Sequence, residues 1–302
     1  MRSAFISTLI EQAYYDERIF LLTPDMGYSV LEKFQEAFPD RFVNTGISEQ
    51  NTISVAAGLA LSGHIVYVYS IIPFITMRCY EQIRIDVAYM NLNVRIVGVG
   101  AGYSYGSAGA THHSIEDIAI MRVLPNMTVC CPGDPKEAAV ITKESNYYSG
   151  PMYIRLGKNG EPKVHEKDVD FKIGKSIKLI EGNDLAIITT SNVLGLGKQW
   201  VDKLSEYKKR AALISMPTIK PFDKEAIISL IKSGIPIITI EEHNIIGGLG
   251  SAVAEVIADF GHCVPFKRIA VNDEFTHFVG NQELLREKMG ISFQKVLDFL
   301  NL

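Results

Sequence analysis

The amino-acid sequence predicts an α/β protein of two domains, each a parallel sheet covered by helices. Three observations carry that expectation. Short apolar, strand-like runs alternate with segments of helical period along most of the chain, which is the pattern of buried parallel strands joined by helical crossovers. The length of 302 residues corresponds to about two domains at roughly 100–200 residues each. A polar, glycine- and proline-bearing stretch, GKNGEPKVHEKDVDFK (Gly157–Lys172), interrupts the alternation and marks a linker.

The elements follow in order. Phe5, Leu9 and Ala13 mark one face of an opening helix. RIFLLT (Arg18–Thr23) and RFVNTG (Arg41–Gly46) read as strands, and Ser48 is placed to cap a helix running to Gly63. HIVYVYS (His64–Ser70) is the next strand, Phe74 to Asn91 reads as one helix, and Val94–Gly100 as a strand. A glycine-rich loop spans Gly100–His113. A short helix then starts at Ser114, with Ser114 and Asp117 spaced as a capping box. Strands at Met127–Cys130 and Met152–Arg155 complete the first domain. After the linker, DLAIITT (Asp184–Thr190), AALISM (Ala211–Met216), IPIITIEE (Ile235–Glu242) and VPFKRIAV (Val264–Val271) read as strands. Helices fall near Val193–Tyr207, Asp223–Ser233 and Leu249–Phe260.

Composition narrows the classes of function. With 47% hydrophobic and 21% charged residues, the chain is neither disordered nor collagen-like. Thirty Lys and Arg against thirty-four Asp and Glu give a net charge of −4 with no basic run, which offers little to a nucleic-acid backbone. Four cysteines, Cys79, Cys130, Cys131 and Cys263, form no Cys-x-x-Cys pair and are too few for a disulfide scaffold. A reducing, cytoplasmic setting is expected. Glu11 and Gln12 break the first apolar run, so no signal peptide is read. No apolar run reaches the length of about 18 residues that a membrane span needs.

Four segments carry candidate chemistry. NTGISEQN (Asn44–Asn51) delivers Glu49 where a strand gives way to a helix, the end of a parallel sheet at which ligands collect. The plainer alternative is a first-turn acid favoured by the helix dipole. YSIIPFITMRCYEQIRID (Tyr69–Asp86) places Phe74, Arg78 and Tyr80 at a helix head. Core aromatics with an arginine pairing to Glu81 or Gln82 are the alternative there. GYSYGSAGATHHSIED (Gly102–Asp117) brings glycines, which permit close backbone approach, beside His112 and His113. A histidine just before a helix N-terminus stays neutral and is able to shuttle protons; a flexible loop with a surface histidine pair is the alternative. In EEHNIIGGLGS (Glu241–Ser251) the glycines lack Gly-x-Gly-x-x-Gly spacing and a Walker lysine. Glu241, Glu242 and His243 are sequential and do not converge easily on one ion. A domain-contact loop is the preferred reading, and no metal ligands are assigned.

In this order and spacing the four segments resemble the transketolase family. GISEQNTISVAAGLALSG is similar to its thiamine-glutamate stretch, and THHSIEDIAIMRVLPNMTVCCPGDPKEA to its histidine-bearing loop with the following helix and strand. EEHNIIGGLGSAVAEVI resembles the C-terminal-domain signature shared with deoxyxylulose-phosphate synthases. The resemblance covers essentially the whole chain and corresponds to the C-terminal half of a full-length transketolase. It implies two doubly wound α/β domains, a pyrimidine-binding thiamine-diphosphate fold over residues 1–165 and a transketolase C-terminal-like domain over 172–302. The implied cofactor is thiamine diphosphate. The family's Gly-Asp-Gly…Asn motif, which holds the diphosphate and its metal, has no counterpart, since the only Gly-Asp is Gly133–Asp134. The resemblance therefore implies one subunit of a split transketolase. A separate diphosphate-binding subunit is expected to hold most of the divalent metal site (Mg) in an α2β2 heterotetramer.

Site residues follow from the same resemblance. Glu49 matches the glutamate that contacts the pyrimidine N1′, where a carboxylate favours the imino tautomer that takes the thiazolium C2 proton. Phe74 matches the aromatic packed on the pyrimidine, with Ile75 sharing that contact. Asp25, in LTPDMGYS, matches an aspartate near the cofactor. His112 matches the histidine that faces substrate oxygens, with His113 in place of the family's glutamine. Arg155 and Ser29 match substrate-phosphate contacts, and Arg78 resembles an arginine of deoxyxylulose-phosphate synthases. Ala108 stands where many members carry an aspartate that selects hydroxyl stereochemistry.

The expected activity is transfer of a two-carbon ketol unit between sugars, with phosphorylated sugars favoured over nucleotide-linked or free ones. Two alternatives stay open. One is a decarboxylating relative, akin to deoxyxylulose-phosphate synthase or to the β chain of a 2-oxo acid dehydrogenase E1. The other is a non-catalytic partner of a diphosphate-domain protein.

Overall fold

Two sheets in succession organise the computed structural model, which describes residues 1–302. The first contains β1 (Ile19–Thr23), β2 (Phe42–Asn44), β3 (Ile65–Ile71), β4 (Val94–Val99), β5 (Thr128–Cys130) and β6 (Met152–Leu156). These lie in the order β5-β6-β4-β3-β1-β2, every pairing parallel. Along β3, Val66 and Val68 point into one core cluster while Ile65, Tyr67 and Tyr69 point into another. The sheet is thus buried on both faces, as its continuous apolar strands require.

Helices supply the two covers. On one side lie α1 (Arg2–Tyr15), through the predicted Phe5, Leu9 and Ala13, and α7 (Pro135–Ser145), through Ala138 and Ile141. On the other lies α3 (Glu49–Leu61), through Ile53, Ala56 and Ala57. The remaining helices of this half are α2 (Glu32–Ala37), α4 (Ile72–Ile75), α5 (Tyr80–Gln82) and α6 (Asp117–Val123).

The second half contributes β7 (Ile177–Ile180), β8 (Leu185–Thr189), β9 (Ala211–Ser215), β10 (Thr218–Lys220), β11 (Ile237–Asn244) and β12 (Phe266–Val271). Five of these form a sheet in the order β12-β11-β8-β9-β7, parallel except for β7. Around it lie α8 (Leu194–Glu206), α9 (Lys224–Ser233), α10 (Leu249–Phe260), α11 (Gln282–Lys288) and α12 (Gln294–Leu300). Strand β10 leaves its own half and pairs antiparallel with β5, completing a seven-stranded first sheet. The fold is two doubly wound α/β units, as the sequence predicts. No helix is long and apolar enough to cross a membrane.

Three local expectations are corrected. Phe74–Asn91 is not one helix. It breaks after Ile75, where the Thr76 hydroxyl donates to the Ile72 carbonyl at 2.7 Å, a side-chain bond that competes with the helical ladder. The chain resumes as α5 and then as π-helical turns over Ile83–Tyr89. Ser48 occupies the N-cap of α3, but its hydroxyl donates to the Thr45 carbonyl instead of accepting from the helix. Ser114 and Asp117 form no capping box. Helix α6 begins only at Asp117, and Ser114 instead exchanges backbone hydrogen bonds with Gly102.

Candidate active site

The turn after β2 places Glu49 at the first position of α3, at the end of the first sheet where β1 and β2 finish. Its carboxylate is nearly buried, the residue being 4% exposed, and it has one hydrogen-bond partner. Arg78 Nη1 donates to Glu49 Oε1 at 2.9 Å, leaving Oε2 free. The Arg78 guanidinium also sits over the Phe74 ring, 4.7 Å from its centre. His112 meets the same ring edge-on at 5.1 Å. Phe74, Arg78, Thr111, His113 and Thr276 line a cavity of about 380 Å³ between these groups and the second half of the chain.

The glycine-rich loop brings His113 to this cavity and sets His112 against Phe74 beside it. At Gly100 the backbone has φ +97°, and a Cβ would lie 2.3 Å from the Tyr105 ring, so only glycine fits. His112 is half-buried between Phe74 and Tyr105, with Nδ1 2.9 Å from the Thr111 hydroxyl. His113 is buried edge-on against Tyr103, its Nε2 3.4 Å from the Gly106 carbonyl. Burial pushes the His113 pKa down, more than the Gly106 carbonyl raises it. Loss of solvent around the ring thus favours the neutral imidazole.

Asp25 and Ser29 lie on the loop after β1, both with positive φ (55° and 61°). Asp25 accepts from Asn44 Nδ2 at 3.0 Å while its own N–H donates to Asn44 Oδ1 at 3.2 Å. The loop therefore sits on the same sheet end as Glu49. Ser29 is exposed, and its N–H donates to the Glu32 carboxylate at 2.7 Å.

Two expected site residues stand elsewhere. Ile75 is fully buried in the core beneath the pocket and has no face toward Phe74's ligand side, because the helical period turns it inward. Arg155 is fully buried and committed. Its Nε donates to Asp117 Oδ2 at 2.8 Å, and its Nη atoms donate to Ser191 Oγ and to the carbonyls of Ser114 and Glu242. Burial works against its charge, but the Asp117 carboxylate outweighs that and raises its pKa. Its guanidinium is sealed from solvent beside an equally buried Asp117, out of reach of a substrate phosphate, so Arg155 is a tie between the two halves.

The GGLG segment is a contact loop, as preferred. The Glu241 carboxylate fills the start of α10, accepting from the N–H groups of Leu249 and Gly250 at 2.7 Å each. His243 Nε2 accepts from the Ala119 N–H across the halves at 3.2 Å. Glu242 is a residue whose role the sequence hid. It accepts from Tyr103 N–H at 2.6 Å, Asn192 Nδ2 at 2.8 Å and Arg286 Nε at 2.7 Å, fastening the histidine loop to the second half.

A thiamine-type pyrimidine fits what is here: a buried carboxylate with a free oxygen beside an aromatic ring and an open cavity. The diphosphate half does not find its ligands in the same way. The helix N-terminus at GGLG is already filled by Glu241, and no group of three or more His, Cys, Asp or Glu side chains is placed to hold a metal ion.

Comparison with known proteins identifies the family and the fold. Residues 1–162 match the family model described as transketolase, pyrimidine binding domain, and residues 174–296 match that described as transketolase, C-terminal domain. The chain is 37% identical over 265 residues to an apulose-4-phosphate transketolase subunit of Actinobacillus succinogenes, covering 88% of this chain and 85% of that one. It is 40% identical over 289 residues to a putative transketolase C-terminal section of Methanocaldococcus jannaschii, covering 95% and 90%. Among solved structures, one described as a split gene transketolase, inactive beta4 tetramer, superposes with a TM-score of 0.89 at 35% identity, covering 99% of this chain and 96% of that one. The chain belongs to the transketolase family and spans its pyrimidine-binding and C-terminal domains.

Proposed function

We propose that this chain is the pyrimidine-binding subunit of a two-chain, thiamine-diphosphate-dependent transketolase that moves a two-carbon ketol unit between sugars. The observation that carries this reading is the buried Glu49 carboxylate at the sheet end, with one free oxygen, bridged to the Phe74 ring by Arg78. When bound, thiamine diphosphate supplies a nucleophilic thiazolium carbon that accepts and passes on the two-carbon unit.

This chain's residues then have separate tasks. Glu49 holds a proton at N1′ of the pyrimidine, and the low-dielectric setting strengthens that hydrogen bond. Phe74 packs on the ring. His113, which lines the cavity, and His112, edge-on to Phe74 beside it, offer hydrogen bonds to substrate oxygens and move protons there. Asp25 lies on the rim next to the cofactor, and Ser29 and Arg78 remain as polar groups for a substrate phosphate.

The diphosphate and its magnesium are assigned to a separate diphosphate-binding subunit. The support is that the matching family models are the pyrimidine-binding and C-terminal domains, and that a relative of similar length is named as one subunit of a transketolase. An α2β2 assembly gives two such sites under closed symmetry.

The test is Glu49→Gln in the complex reconstituted with that partner. Gln keeps size and a hydrogen bond but not the charge. Turnover should fall on the order of 10²–10⁴-fold, the range of a positioned acid–base group, with circular dichroism and assembly unchanged. Near-normal turnover by the verified variant would overturn the assignment. A two-carbon unit drawn from a 2-oxo acid with release of carbon dioxide would move it to the decarboxylating relatives.

A further inference from the structure

We propose that Arg78 is a built-in stand-in for the pyrimidine, holding the Glu49 and Phe74 contacts in the lone chain and swinging away when the cofactor arrives. The proposal rests on the reading of Glu49 and Phe74 given above. A protonated aminopyrimidine is a planar cation that would donate an N–H to Glu49 and lie against Phe74. The Arg78 guanidinium is also a planar cation. It donates to Glu49 Oε1 at 2.9 Å and lies 4.7 Å over the Phe74 ring. The same two residues make the same two kinds of contact.

The rest of Arg78's setting suits a temporary occupant. Its side chain is about half exposed, and its side-chain hydrogen bonding is to Glu49 alone. It stands in the irregular turn between α4 and α5, where the helical ladder is broken. Swinging it toward solvent therefore disturbs neither helix. This contrasts with Arg155 and Arg95, whose guanidinium groups are fully buried and fastened by several hydrogen bonds each.

The arrangement has two consequences. A carboxylate buried without a partner is costly, and Arg78 compensates Glu49 until the cofactor does. The pocket also resists thiamine until binding energy from the partner's half of the site displaces the arginine. A half-exposed ion pair together with one cation–π contact makes that resistance modest, on the order of tenfold in affinity.

The experiment measures binding of thiamine to the full chain alone by calorimetry, for wild type, Arg78→Met, Glu49→Gln and the double variant. Met keeps an apolar stem against Phe74 and removes the guanidinium. Arg78→Met should bind thiamine about tenfold tighter than wild type, and Glu49→Gln should abolish that gain. A merely structural role for Arg78 would not tighten binding. Weaker or unchanged binding by Arg78→Met would overturn the proposal and make Arg78 a positioning residue for Glu49 in the loaded site.

A ligand-free arm reads the contact itself. In the nitrogen-15 spectrum of the lone chain, the Arg78 guanidinium N–H should be protected and should shift in Glu49→Gln; an unprotected signal insensitive to Glu49 would overturn the proposal. The two failures separate cleanly. If the complex with the partner binds thiamine diphosphate through Glu49 but Arg78→Met gains nothing, the occupant falls alone. If binding by that complex ignores Glu49, the reading of the pocket falls and the occupant with it.

Discussion

Two arginines with the same expected task separate at the scale of single residues. Arg78 is half-exposed at the pocket, whereas Arg155 is sealed against Asp117, whose Oδ2 also accepts from the Tyr153 hydroxyl at 2.6 Å. Removing one member of such a buried pair leaves an uncompensated charge. Arg155→Met should therefore lower stability by about 3–5 kcal/mol, read by denaturant titration. In the protein that still folds, KM for a phosphorylated sugar should match wild type. A raised KM at unchanged stability would return Arg155 to the substrate. The sequence showed the arginine but not its carboxylate, which lies 38 residues away in the chain. One clue was present: in PMYIRLG it sits inside an otherwise apolar strand, where a cation survives only if paired. The position of Glu49 was legible because a strand-to-helix turn fixes where its side chain goes. Ile75 was not separable from Phe74 until the helical turn set one outward and the other into the core.

Elements carry the next set of lessons. The break between α4 and α5 was hidden because Ile75, Cys79, Ile83 and Val87 keep helical spacing and are all buried, so the apolar period runs on through an irregular turn. Helix α7, which is not among the predicted elements, starts with Asp134 before Pro135, and Asp134 accepts from Glu137 N–H at 2.9 Å. What the sequence hides is that this helix start also anchors the linker. Asp134 accepts from the N–H groups of Val164 and His165 at 3.0 Å each, and His165 Nε2 lies 2.7 Å from Glu137 Oε1. Burial pulls the His165 pKa down, but the hydrogen bond and charge of Glu137 outweigh it, and the net direction is up. A raised folded-state pKa means the contribution is full below the ordinary histidine value of about 6.5 and fades as pH rises through the folded value. His113, depressed by burial, acts oppositely and favours unfolding as pH falls below about 6.5. His165→Gln should therefore lower Tm below about pH 6.5 and flatten its decline with rising pH near neutrality, while leaving the slope on the acid side unchanged. A decline of unchanged slope in the variant would contradict this role of the His165–Glu137 contact.

Over the whole molecule, the alternation of strands and helices revealed both doubly wound halves, while the joint between them stayed hidden. Strand β10 is three residues long, too short to show a period, yet it carries the second half onto the first sheet. The buried contacts of Arg155 and Glu242 complete that joint from residues far apart in the chain. The histidine loop is thereby fixed from both sides, and the site opens outward on a rim where Ile47 is 80% and Phe275 73% exposed. Exposed apolar groups beside an incomplete cofactor site suit a partner surface. The central claim is that this chain holds half of a thiamine-diphosphate site. Its most direct test is cofactor-dependent ketol transfer, measured while a diphosphate-binding transketolase subunit is titrated into a fixed amount of this chain with magnesium present. The account predicts no turnover from this chain alone, and activity that rises with the partner and saturates at equal amounts of the two. Ketol transfer by the purified chain with cofactor and magnesium but no partner would contradict it.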